Sequence, residues 1–136
     1  MKEEYRAITL EWLGRAQSDL DYACASFQQF EQFYSQMCIL CHDSAEKYLK
    51  AYLASQGIRP ERTHDLVMLL NECAQFAKNK HELLAIERQC RILNRYYIPL
   101  KYPSHYPTIT KDQAKEAIEA AETVRVEIIK ALQIAP

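Results

Sequence analysis

The sequence predicts an all-α fold, an up-and-down bundle of four to five helices in which residues 1–136 form a single domain. Three observations lead there. Only two glycines, Gly14 and Gly57, occur in the chain, too few for the tight turns of a many-stranded sandwich or barrel. Apolar residues recur at three- and four-residue spacing through successive long stretches, the signature of one buried helical face. The stretches are joined by short connections, which force neighbouring helices to return alongside each other.

The first helix is expected over Ile8 to Phe27, where Trp12, Leu13, Ala16, Leu20, Ala23 and Phe27 form the stripe. A polar break, Gln28 to Gln32, separates it from a second, broader stripe that begins at Phe33 and runs through Met37, Leu40, Cys41, Ala45, Tyr48, Leu49 and Tyr52. Gly57 is its natural stop, because a glycine accepts the left-handed conformation that closes a helix. The third helix is expected to be capped by Thr63, to carry Asp65 in its first turn and to run to about Ala77. After the polar turn Lys78 to His81, a fourth helix is expected from Glu82 to Tyr97, and Pro99 must end or kink it. Pro99, Pro103 and Pro107 then mark an ordered aromatic loop or extended crossover. The last helix opens on Thr110 and Gln113, spaced as a capping box, and buries Ala114, Ala117, Ile118, Ala121, Val124, Ile128 and Leu132.

Composition narrows the function. The chain carries 17 basic and 18 acidic side chains for a net charge of −1, so no general field draws it to DNA or a membrane, and any nucleic-acid contact must be local. No window approaches the length of a membrane span and the N-terminus lacks a leader signature, which together point to the cytoplasm. The five cysteines are odd in number and lie within amphipathic runs, so most of them read as buried free thiols rather than parts of a disulfide framework. The run from Cys38 to His42 matches a haem-attachment spacing but sits inside a helix, and no second ligand pair at zinc spacing accompanies it. No nucleophile elbow, glycine-rich phosphate loop or zinc-protease helix is present, and no cofactor or metal is implied.

Four groups of residues are candidates for chemistry. On the second helix, His42 and Glu46, Asp43 and Lys47, and Glu46 and Lys50 are each four apart and form a polar ridge, which on spacing alone reads as a solvated face of weak ion pairs. Arg15 and Asp19 make a similar pair on the first helix. His64 and Asp65 open the third helix, where free backbone amides would attract a phosphate. Arg91, Arg95, Tyr96, Tyr97, Lys101, Tyr102, His105 and Tyr106 form a basic, tyrosine-rich run that combines phosphate-binding side chains with faces on which a base can stack.

With these residues assembled, the chain resembles the HEPN domain, named for nucleotide binding in higher eukaryotes and prokaryotes. The resemblance rests on Trp12 to Leu20 (WLGRAQSDL), Asp43 to Leu53 (DSAEKYLKAYL), Thr63 to Leu70 (THDLVMLL) and Asn94 to Pro103 (NRYYIPLKYP), in family order across nearly the whole chain. It implies a bundle of four or five helices that commonly forms a homodimer. It also implies one of two activities. Many such proteins are encoded beside a small nucleotidyltransferase, as a substrate-binding partner or as the toxin of a toxin–antitoxin pair. Others are metal-independent ribonucleases in which an arginine and a histidine four to six residues later meet at a dimer cleft.

The sequence departs from the ribonuclease pattern. Arg95 and His105 are separated by nine residues, and Lys101 stands where an arginine usually precedes Tyr-Pro, keeping the charge but losing the bidentate fork. Arg59 and His64 have the spacing but precede the third helix, outside the place of the nuclease motif. The expectation is therefore a non-catalytic module that binds a nucleotide or phosphate through Glu46, His64, Asp65, Arg95, Lys101 and Tyr102 and acts with a nucleotidyltransferase. The alternatives are a ribonuclease toxin using Arg95 and His105, and a structural helical adaptor.

Overall fold

The structure, a computed structural model, describes residues 1–97 and 108–133. Among them are six helices: α1 (Glu3–Gln29), α2 (Tyr34–Ser55), α3 (Leu66–Phe76), α4 (Lys80–Leu84), α5 (Glu87–Asn94) and α6 (Lys111–Leu132). The predicted all-helical bundle is the observed one. The proline-rich run from Pro99 to Pro107 lies outside the described residues.

α2 is the axis of the bundle. It packs along α1 on one side and α6 on another, while α3 and α5 close the remaining face. Its buried set includes Met37, Cys41, Ala45, Tyr48, Leu49 and Leu53, each at or near zero exposure. α6 faces it with small side chains, Ala114, Ala117, Ala120 and Ala121, so the two helices can approach closely before Val124 and Ile128 widen the contact.

The ends obey their local chemistry. α1 begins five residues earlier than expected, because Glu3 and Glu4 in its first turn favour the positive end of the helix dipole even though they bury nothing. α2 starts after Phe33, which adopts the left-handed conformation at φ 68°, an uncommon state for a bulky residue, with its ring set edge-on against Phe30 at 5.4 Å. It stops as expected at Gly57, whose φ is +75°. There the amide of Ile58 donates to the Leu53 carbonyl and that of Gly57 to the Ala54 carbonyl, the paired bonds of a glycine-closed helix end. The capping box of α6 is formed in full, with the Thr110 hydroxyl accepting from the Gln113 amide and the Gln113 side chain accepting from the Thr110 amide.

Two expectations change. The fourth helix is not continuous from Glu82 to Tyr97: Asn79 caps a short α4 through the Glu82 amide, a turn at Ala85 and Ile86 intervenes, and α5 ends at Asn94. The turn lets Leu83 face α3 and α6 while Cys90 and Leu93 enter the core beside α2. The cap of α3 is Asp65 rather than Thr63. The Asp65 carboxylate accepts from the amides of Val67 and Met68, while the Thr63 hydroxyl accepts from the amide of Asp65 itself.

Candidate functional site

The polar ridge of α2 is not a solvated face. His42 is fully buried, and Glu46 and Lys50 are each 8% exposed. Charged groups at that depth must be paired and hydrogen-bonded to persist. Of the expected four-apart pairs only Glu46 with Lys50 forms, Lys50 Nζ donating to Glu46 Oε2 at 3.0 Å. Lys47 instead reaches across to Asp19 of α1, and Arg15 pairs with Glu11 at 3.0 Å rather than with Asp19. The local pairing rule fails here because α1 offers Lys47 a partner that is better placed than its own helix does.

The burial is supplied by the segment before α3. His64 Nδ1 lies 2.7 Å from Glu46 Oε1. An ionised carboxylate only accepts, so the imidazole proton on this side sits on Nδ1 and Nε2 is the outward nitrogen. The side chain of His64 remains 46% exposed. One residue's backbone ties the same segment down from below: the His64 carbonyl accepts from His42 Nε2 at 2.8 Å, and His42 Nδ1 lies 3.2 Å from Asp43 Oδ1. The Tyr97 ring stacks on both imidazoles, with centroid distances of 4.4 Å to His64 and 5.3 Å to His42. Lys50 Nζ, on the other side of Glu46, lies 5.8 Å from the centre of the Trp12 ring. Four separate elements thus converge on one carboxylate and one half-exposed imidazole.

The amides at the start of α3, expected to be open to an anion, are already occupied. Leu66 donates to Asn94 Oδ1 at 2.9 Å, and Val67 and Met68 donate to Asp65. Asn94 also donates to Asp65 Oδ1 at 3.0 Å, so one side-chain amide closes the helix end and locks α5 to it. Partial burial pushes the Asp65 carboxyl up, but the Asn94 side chain, the Met68 and Val67 amides and the nearby charge of Arg91 outweigh it and hold the group below its ordinary value. Asp65 is thereby a positioning residue for His64, and a phosphate at this site would meet side chains rather than helix amides.

The basic, tyrosine-rich run divides. Tyr96 turns into the core at 3% exposure, while Tyr97 forms the stack. Arg91 pairs with Glu87 at 3.2 Å. Arg95 is exposed at the end of α5, 3.8 Å from Glu116 of α6, and two residues from Tyr97. Lys101, Tyr102, His105 and Tyr106 lie outside the described residues. The structure therefore brings Glu46 and His64 into contact, sets Asp65 beside them as a cap and leaves Arg95 on the surface. Asn94 was not singled out as a site residue in the sequence. Asn94 stands one residue ahead of the Arg95–Tyr97 run, and nothing local marks it as the partner of a helix start 28 positions away.

Cys38, Cys41, Cys73 and Cys90 are buried and unpaired. Burial pushes their thiols up, to about 12 for Cys38 and Cys90, so they are poor nucleophiles and poor ligands. His42 and Glu46, four apart on α2, turn to different partners, and among the described residues no three His, Cys, Asp or Glu side chains converge on one point. No described helix is long and apolar enough to cross a membrane.

Comparison with known proteins gives a consistent picture. The family model of the HEPN domain matches residues 9–132. The crystal structure of TT1696 from Thermus thermophilus superposes with a TM-score of 0.77 at 22% identity, over 90% of this chain and 97% of that one. ST0689, an archaeal HEPN homologue, superposes with a TM-score of 0.71 at 25% identity, over 91% of this chain and 97% of that one. No curated protein matches the sequence.

Proposed function

The chain belongs to the HEPN domain family, and from that premise we propose that it is a non-catalytic module that binds a nucleotide or phosphate group and acts with a small nucleotidyltransferase. The observation that carries the proposal is His64. Its Nδ1 is held by the buried carboxylate of Glu46, its ring is braced by Tyr97, and nearly half of its side chain stays open to solvent. A histidine fixed in this way offers Nε2 to a ligand oxygen, as a charge-assisted donor when the ring is doubly protonated. Tyr97 is already seated against two rings, so it stiffens the site. Arg95, at the surface end of α5, and Lys101 and Tyr102 beyond it complete the set of groups proposed to meet the phosphate and its nucleoside. The partner transferase and a homodimeric state come from the family resemblance, and both are part of the proposal.

Calorimetric titration of the purified chain with AMP, ATP and pyrophosphate tests it. Binding is expected, and the His64→Ala, Lys101→Ala double variant is expected to lose at least tenfold in affinity, about 1.4 kcal/mol. Equal affinity in that variant would overturn the assignment of the site. Incubation with mixed RNA in EDTA, alongside His105→Ala and a solution mass, separates the ribonuclease alternative. Cleavage that vanishes in the His105 variant would replace a binding function with a catalytic one.

A further inference from the structure

On the far side of Lys50 from His64 there is a groove of about 440 Å³, within the size range of small-molecule sites. The end of α2 and the segment that follows Gly57 fold over the start of α1 to form it. Its walls are apolar, with Ile8 and Trp12 from α1 facing Ile58 and Pro60. Ile8 is 45% exposed, a large aliphatic side chain left against open space. Tyr5 closes the end: its ring lies so near the Gly57 backbone that a Cβ there would meet the ring carbon Cζ at 2.5 Å, and the φ of +75° at Gly57 favours glycine at the helix stop.

The charge of the groove differs from that of the chain as a whole. Lys50, Arg59 and Arg62 line it against a single acidic residue, Glu61, on a protein whose net charge is −1. Lys50 is committed to Glu46. Arg59 and Arg62 are exposed, and neither forms an ion pair among the described residues. An apolar slot bordered by exposed guanidinium groups suits a ligand with a flat apolar body and an anionic tail, since arginine grips phosphate with a planar fork and aromatic walls hold a base. Arg62 and His64 are two residues apart, so their Cα atoms lie within about 7 Å of each other. The segment that borders the groove thus leads directly to the imidazole.

We propose that the groove seats the base of a nucleoside polyphosphate against Trp12, Ile8 and Pro60, with the phosphate chain running along Arg59 and Arg62 toward His64. The proposal rests on the nucleotide-binding reading above and adds the location of the base and the class of ligand. Trp12 is the sole tryptophan of the chain, so tryptophan fluorescence comes from this wall.

The test is titration of the intact chain with ATP and with inorganic triphosphate, followed both by calorimetry and by emission excited at the red edge of tryptophan absorption. ATP is expected to change Trp12 emission saturably, with the same Kd as calorimetry gives. Triphosphate is expected to bind at least tenfold more weakly and to leave the emission unchanged. The Arg59→Ala, Arg62→Ala variant, altered only at exposed positions, is expected to raise the Kd for ATP at least tenfold with His64 intact. Calorimetric binding of ATP with silent Trp12 and full affinity in the arginine variant would overturn the groove assignment while leaving nucleotide binding standing. Absence of any heat with ATP would overturn both.

Discussion

Replacing Glu46 by glutamine removes the one negative charge that a buried lysine and a half-exposed imidazole share. The carboxylate accepts from Lys50 Nζ at 3.0 Å and from His64 Nδ1 at 2.7 Å, with only 11% of its side chain and 10% of that of Lys50 exposed. Breaking a fully buried pair from one side costs about 3–5 kcal/mol, because the surviving charge is left without compensation. Glutamine keeps a carbonyl acceptor for one of the two donors, and Lys50 keeps some contact with water and the Trp12 face. The expected loss for Glu46→Gln is therefore lower, about 2–3 kcal/mol. For a chain of 136 residues this corresponds to a fall in Tm of roughly 6–12 °C. Urea unfolding followed by far-UV circular dichroism gives the free energy, and scanning calorimetry gives Tm. The Glu46→Gln, Lys50→Met variant removes both charges and keeps the lysine's apolar stem, so it is expected to recover about half of the loss. If the single variant lies within about 0.5 kcal/mol of the parent, or if the two substitutions simply add, Glu46 does not hold the site together and the reasoning from burial is wrong.

Two further outcomes follow from the geometry. Asp65→Ala strips the cap of α3 and the Asn94 contact, and is expected to cost about 1–2 kcal/mol in urea unfolding at neutral pH. Because the Asp65 carboxyl is held below its ordinary value in the folded chain, its contribution is fully present above the ordinary carboxylate range and is lost as pH falls through the lowered value. Asp65→Asn, which retains a capping oxygen, is accordingly expected to flatten that part of the acid limb, and an unchanged limb would contradict the assignment. The thiols give the other outcome: at pH 8 a disulfide reagent is expected to label at most Cys24, the one cysteine that is not buried, with the remaining four reacting only after denaturation. Rapid labelling of more than one thiol in the native chain would show the core to be open.

Much of the bundle was legible because three-and-four spacing is a property of each helix by itself. The stripes of α1, α2 and α6, the glycine stop at Gly57 and the box at Thr110 and Gln113 are all written within a few residues of where they act. The break between α4 and α5 was not legible, since Leu83, Ile86, Cys90 and Leu93 keep helical spacing straight across the turn and only their placement against three other helices reveals it. Thr63 and Asp65 are both good caps two positions apart, and the choice falls to Asp65 because Asn94 meets it there. The site follows the same division. Glu46 and His64 were each visible as candidates, but the chain between them, which sets them 18 positions apart, carries no signal that they touch. The ridge of α2 has the spacing of a solvated face, and it is buried by segments that are distant in sequence.

Asn94 leaves a mark on how the protein assembles. The first amide of α3 finds its acceptor on α5, 28 residues later in the chain, so α3 cannot complete its own beginning while it stands alone. Its first amide is expected to stay open to solvent until α5 docks, and from then on the two helices are expected to gain or lose protection there together. The exchange of the Leu66 amide proton with solvent is thereby a clock for the docking of a helix to which Leu66 does not belong, and substitution of Asn94 by alanine would let that proton exchange early while the interior of α3 stays protected.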